Sequence, residues 1–139
     1  MPIEDLARSD AVTADPGTPV ADLAAAMAEK DVGSVVITTD GAPVGIVTDR
    51  DLTVRVLGAD LDPTDQTAED VMTDELQTVE PGAGFYEAAE VMADHGIRRL
   101  PVSDGDSLAG IIALDDISEL LADEHQHLGD IIRAQRPEY

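Results

Sequence analysis

The chain repeats itself. Slid by 65 residues without a gap, Glu4-Asp5 falls on Glu69-Asp70, Pro16-Gly17 on Pro81-Gly82, Met27-Ala28 on Met92-Ala93, Gly45-Ile46 on Gly110-Ile111, and Asp51 on Asp116. A unit that occurs twice and is too small to close a core of its own predicts two copies packed face to face. Each copy reads as β-α-β-β-α, so the fold class expected is α+β.

In the first copy, Ile3 to Arg8 reads as a helical turn and Val12 to Ala14 as a short strand ended by Asp15-Pro16-Gly17. Thr18 is placed to cap a helix begun by Pro19, with Val20, Leu23, Ala24 and Met27 at the i, i+3, i+4, i+7 spacing of a buried stripe. Ser34 to Thr39 and Pro43 to Thr48 read as strands joined at the hairpin signal Asp40-Gly41, and Asp49 to Leu57 as a helix stopped at Gly58. The second copy repeats the order: a turn at Glu69 to Thr73, a strand around Thr78, a helix with Phe85, Ala88, Ala89 and Met92, strands Arg99 to Ser103 and Leu108 to Ala113, and a helix Asp115 to Leu121. The boundaries expected are residues 1–60 for the first repeat, 61–66 for a polar linker, 67–123 for the second repeat and 124–139 for a short amphipathic tail helix.

Charge limits the partners. Thirty acidic residues against eight basic give a net charge of −22, which repels phosphate backbones and anionic lipid, so neither nucleic acid nor a membrane surface is expected. Two readings of this acidity compete, a disordered acidic chain and a folded domain with an acidic surface; the periodic apolar residues, within a chain that is 43% hydrophobic, favour the second. Such a surface suits a salt-rich cytoplasm, where screening relieves self-repulsion, and a halophilic source is expected. Cysteine is absent, which excludes disulfides and thiolate metal sites. With no membrane-length apolar run and no basic, apolar N-terminal segment, a cytoplasmic location is expected.

The stretch Gly45-Ile46-Val47-Thr48-Asp49-Arg50-Asp51 lies where a strand hands over to a helix. Thr48 and the first N–H groups of that helix offer a seat for an anion. Asp51, nearly one turn on, can accept two hydrogen bonds from a vicinal diol such as ribose. The residues alone leave a structural alternative open: Asp49 caps the helix, Asp51 complements its dipole, and Thr48 is a strand-end residue.

Gly45-x-x-Thr48-x-x-Asp51 after Asp40-Gly41, together with Gly110-x-x-Ala113-x-x-Asp116 after Ile97-Arg98-Arg99-Leu100-Pro101-Val102, resembles two copies of the CBS domain. The resemblance covers about residues 2 to 123. It implies two repeats packed sheet to sheet in pseudo-twofold symmetry, with clefts for AMP, ADP, ATP or S-adenosylmethionine, and a regulatory rather than enzymatic role. It also implies that Asp51 holds ribose hydroxyls, that Thr48 contacts phosphate, and that Arg98 and Arg99 reach the phosphates of a nucleotide held by the other repeat. One cleft would then collect Thr48, Asp51, Arg98 and Arg99, and the other Asp116 with Ala113, Gly33 and Ser34. Thr13 and Thr78, at the starts of the short strands that line such clefts, are further candidates.

Arg50, Arg55, Arg98 and Arg99, half of the chain's cations, lie in or beside these segments, and arginine's planar fork matches phosphate oxygens. His125 and His127 with Glu124 form a weak metal candidate, because a spacing of two points helical side chains apart. The expected partners are an adenosine ligand, a second copy in a homodimer, and a protein target. An adaptor pair without ligand, or a metal-assisted hydrolase, are the alternatives.

Overall fold

The computed structural model describes residues 1–73 and 75–137. The first three-stranded sheet has the order β1-β2-β3, in which β1 (Thr13–Ala14) runs parallel to β2 (Ser34–Thr39), and β2 pairs antiparallel with β3 (Ala42–Thr48). The second sheet is the hairpin β4 (Arg99–Ser103) and β5 (Leu108–Ala113), joined in parallel by a bridge from Val79 to Val102 at the position that β1 occupies in the first repeat. Helices α1 (Val20–Lys30) and α4 (Phe85–His95) cover their own sheets through Val20, Leu23 and Met27, and through Ala88 and Met92. Both end in the left-handed conformation, at Asp31 with φ 53° and at Gly96 with φ 63°. Strands and helices therefore follow the apolar periods read from the sequence.

Each repeat nevertheless borrows its first turn from the other. The 3-10 turn Ile3–Asp5 packs Ile3 into the core with Leu100, Val102 and Ile112, whereas α3 (Ala68–Val71) packs Ala68 and Val71 against Leu23, Val35 and Val47. Backbone bonds repeat this exchange in register. Ile3 N–H donates to Ala83 O at 2.6 Å as Ala68 N–H does to Thr18 O at 2.8 Å, and Glu4 N–H to Pro81 O at 3.2 Å as Glu69 N–H does to Pro16 O at 2.9 Å. Paired polar groups across the joint and two continuous cores bind the repeats to one another.

Three local expectations change. Thr18 does not cap α1: its hydroxyl donates to Asp15 Oδ1, which also accepts Gly17 N–H, so the aspartate closes its own turn and Pro19 stands at the cap position. The helix after β3 begins as α2 (Asp49–Asp51) and continues as a π-helical stretch, Leu52–Leu57, that closes with Gly58 N–H on Thr53 O. The last helix and the expected tail are one helix, α5 (Leu114–Gln135), since nothing between Leu121 and Leu128 interrupts it. Among the described residues no helix is long and apolar enough to cross a membrane.

Candidate functional site

A cleft of about 460 Å³ opens where β3 passes into α2 and faces the end of α4 and the start of β4. One wall is Ile46, Thr48, Arg50 and Asp51 from the first repeat; the other is His95 to Arg99 from the second, and Thr73 with Glu75, Leu76 and Gln77 closes it from the segment after α3. Of the residues expected at the better-equipped site, Thr48, Arg50, Asp51, Arg98 and Arg99 are brought together. Ile46, Leu76 and Ile97 supply an apolar lining suited to a flat ring. Among the described lining residues, three arginines stand against Asp51 and Glu75, an inversion of sign in a chain of net charge −22.

Thr48 and Asp51 are fixed by each other. Thr48 N–H donates to Asp51 Oδ2 at 2.9 Å and Asp51 N–H to Thr48 Oγ1 at 3.1 Å, a reciprocal capping box, so Thr48 rather than Asp49 is the cap. The box uses one carboxylate oxygen and one lone pair of the hydroxyl. It leaves Asp51 Oδ1 as an acceptor and the Thr48 O–H as a donor. Arg55 Nε lies 3.8 Å from Asp51 Oδ1 while its Nη1 donates to Val71 O, so Arg55 braces the aspartate against α3 and is not a cleft residue.

Arg98 is weakly paired: it meets Asp115 at 3.8 Å with both side chains largely exposed, an ion pair that contributes little. Arg99 leans toward the first repeat, where Gly33 leaves room for its guanidinium. Each can turn into the cleft, Arg98 by giving up only a solvated contact.

The symmetry-related cleft is different. It measures about 190 Å³ and is lined by Arg8, Asp10, Val12, Lys30, Val32 and Ser34 among others. Asp116 is not in its lining: Asp116 Oδ2 accepts Ala113 N–H at 2.9 Å, and Arg8 Nη2 lies 3.4 Å from Oδ1. Arg8 is carried there by its backbone, which exchanges bonds of 2.9 and 3.0 Å with Ile111. Ala113 and Gly33, also expected there, do not line it either. The corresponding position in the first cleft is Thr73, too short to reach the carboxylate. Thr13 and Thr78 line neither cleft; both are exposed, and by strand alternation their neighbours Val12 and Gln77 face inward instead. His125 and His127 are exposed on α5, and no group of three metal-ligating side chains occurs among the described residues.

A family model for the CBS domain matches residues 3–58 and again 68–123. This chain belongs to the CBS-domain family. Its two CBS repeats are 38% identical over 120 residues to an uncharacterised protein, MK0525, of Methanopyrus kandleri, a match that covers 85% of this chain and 61% of that longer protein. They are 32% identical over 116 residues to the CBS domain-containing protein YhcV of Bacillus subtilis, covering 84% of this chain and 82% of YhcV. The solved CBS domain pair of protein MJ0100, a complex with 5′-methylthioadenosine and S-adenosyl-L-methionine, shares the fold at a TM-score of 0.80 and 23% identity, covering 89% of this chain and 98% of that one.

Proposed function

We propose that this CBS pair is a regulatory module that senses a phosphorylated adenosine compound, with one ligand per chain in the cleft between Thr48–Asp51 and His95–Arg99. The observation that carries this reading is the convergence, in one cleft of about 460 Å³, of a carboxylate, a hydroxyl and three arginines drawn from both repeats. A volume of that size is within the range of roughly 300–1,000 Å³ usual for small-molecule sites. In this reading Asp51 Oδ1 accepts from the ribose diol, Thr48 donates to phosphate, and Arg98 and Arg99 close on the remaining oxygens while Arg50 adds positive potential at the mouth. The base lies on Ile46 and Ile97.

The arginines favour AMP, ADP or ATP over S-adenosylmethionine, whose sulfonium is cationic and would be repelled by them. The complex formed by the MJ0100 pair supports the adenosine class without selecting a member of it. Because the ligand bridges the repeats, its binding changes how they pack, and a protein target or a second copy of the chain in a homodimer reads that change. The cleft is assigned no catalytic step. The acidic surface is matched to a salt-rich cytoplasm.

Thermal unfolding in molar salt, with adenosine, AMP, ATP and S-adenosylmethionine in separate series, tests the reading. A ligand held only by the folded state raises the melting temperature with concentration. AMP and ATP are expected to do so at lower concentration than adenosine; no shift with any of the four overturns the reading in favour of an adaptor pair.

A further inference from the structure

Helix α5 outruns the body on which it starts. Ile117, in its first turns, is 4% exposed in the second core. At 100° per residue, Leu121, His125, Leu128 and Ile132 continue the same stripe, with Ile131 at its edge. Yet Leu121 is 51%, Leu128 59%, Ile131 55% and Ile132 62% exposed. Isolated exposed aliphatics are ordinary, but an apolar line of about 17 Å on a helix marks a contact surface.

We propose that this stripe pairs with the same stripe of a second copy, antiparallel, about a two-fold axis between His125 and Leu128; this rests on the homodimer reading above and names its surface. Two features of the helix select that occupant. The spacings between positions 121, 125, 128 and 132 are four, three and four, which read the same in both directions. About a two-fold axis that spacing sets Leu121 over the partner copy's residue 132 and His125 over its residue 128, so that each position of the stripe meets another position of the stripe. Charge selects the direction. The first half of α5 carries Asp115, Asp116, Glu119, Asp123 and Glu124 without an arginine or lysine, whereas its second half carries only Asp130, which pairs with Arg133, and is followed by Arg136. Antiparallel pairing lays the charge-balanced end of each helix beside the acidic half of the other; parallel pairing stacks acid on acid. Four aliphatic side chains per copy form a small interface, so the pairing is reversible and strengthened by salt.

The chain has no cysteine, so single introduced thiols report the geometry directly. In molar salt under mild oxidation, His125→Cys, close to the axis, is expected to give a disulfide-linked dimer, and Ile132→Cys, equally exposed but about 17 Å along the axis from its own copy, is not. Mixing Leu121→Cys with Ile132→Cys chains is expected to give the mixed dimer. Ile132→Cys crosslinking to itself as readily as His125→Cys, or no dimer from His125→Cys, overturns the proposal. Light scattering separates the surface from the oligomer: Leu128→Glu is expected to halve the mass of the wild-type species with circular dichroism unchanged. A dimer that survives Leu128→Glu refutes this surface while leaving the homodimer reading standing, and a wild-type chain that is monomeric at all concentrations refutes both.

Discussion

The guanidinium of Arg99 lies across the Cα of Gly33: a Cβ built there would stand 2.6 Å from Arg99 Nη2 and 3.2 Å from Asp49 Oδ2. Gly33 is the counterpart of Arg98, so the same position supplies a cation in one repeat and the space for its neighbour in the other. The asymmetry of the repeats is thus a single arrangement around one cleft.

Gly33→Ala is therefore expected to displace Arg99 and leave the fold intact. The atom met is the end of a flexible side chain, and the lower entropy of the unfolded alanine chain offsets part of the strain, so stability should change by less than about 1 kcal/mol. Affinity for AMP should fall several-fold, the effect of holding an arginine about 0.5–1.5 kcal/mol off its rotamer. Equal AMP affinity in the two proteins, by calorimetry, would show that Arg99 does not need this space.

Asp51→Asn separates capping from binding. Its side-chain carbonyl retains the bond from Thr48 N–H, whereas the amide replaces the acceptor at Oδ1 with a donor. Melting should change little and nucleotide affinity should fall by about 1.5–3 kcal/mol. Asp51→Ala should lose the same affinity and also about 1 kcal/mol of stability from the cap. If Asp51→Asn binds like wild type, the aspartate is only a cap.

Arg8→Ala is expected to open the second cleft. The pair with Asp116 has an arginine side chain 65% exposed, so its loss should cost at most about 1 kcal/mol. Asp116 then presents a free carboxylate oxygen, and a second, weaker adenosine site should appear in titrations carried to high ligand concentration. A stoichiometry unchanged by the substitution would locate the block elsewhere.

Melting temperature should fall steadily as salt is lowered from molar to millimolar concentration, because thirty acidic residues repel without screening. A flat profile would mean that the surface charge is compensated locally.

Most of the fold was legible because each element carries a period: Val20, Leu23 and Met27 for α1, Ser34 to Thr39 for β2, and the identical order one repeat later. Thr48, Asp51, Arg98 and Arg99 were legible through a motif and the symmetry that brings the second repeat to the first. What remained hidden was long-range. The exchange of Ile3 and Ala68 between cores depends on which sheet each turn meets, and the Arg8–Asp116 pair joins residues 108 apart. Glu75 to Gln77 have no period that marks a cleft wall. The unbroken α5 was hidden by the end of the repeat at Asp123, although the residues around it are good helix formers and only Gly129, worth about 1 kcal/mol against a helix, argues otherwise.

The most direct measurement is calorimetric titration of the wild-type chain and of Arg98→Ala/Arg99→Ala with adenosine, AMP and ATP in high salt. One site per wild-type chain is predicted, with AMP and ATP losing far more affinity than adenosine when the two arginines are removed, since only the phosphates contact them. Equal losses for all three ligands, or no binding by the wild-type chain, would contradict a phosphorylated adenosine ligand bridging the repeats.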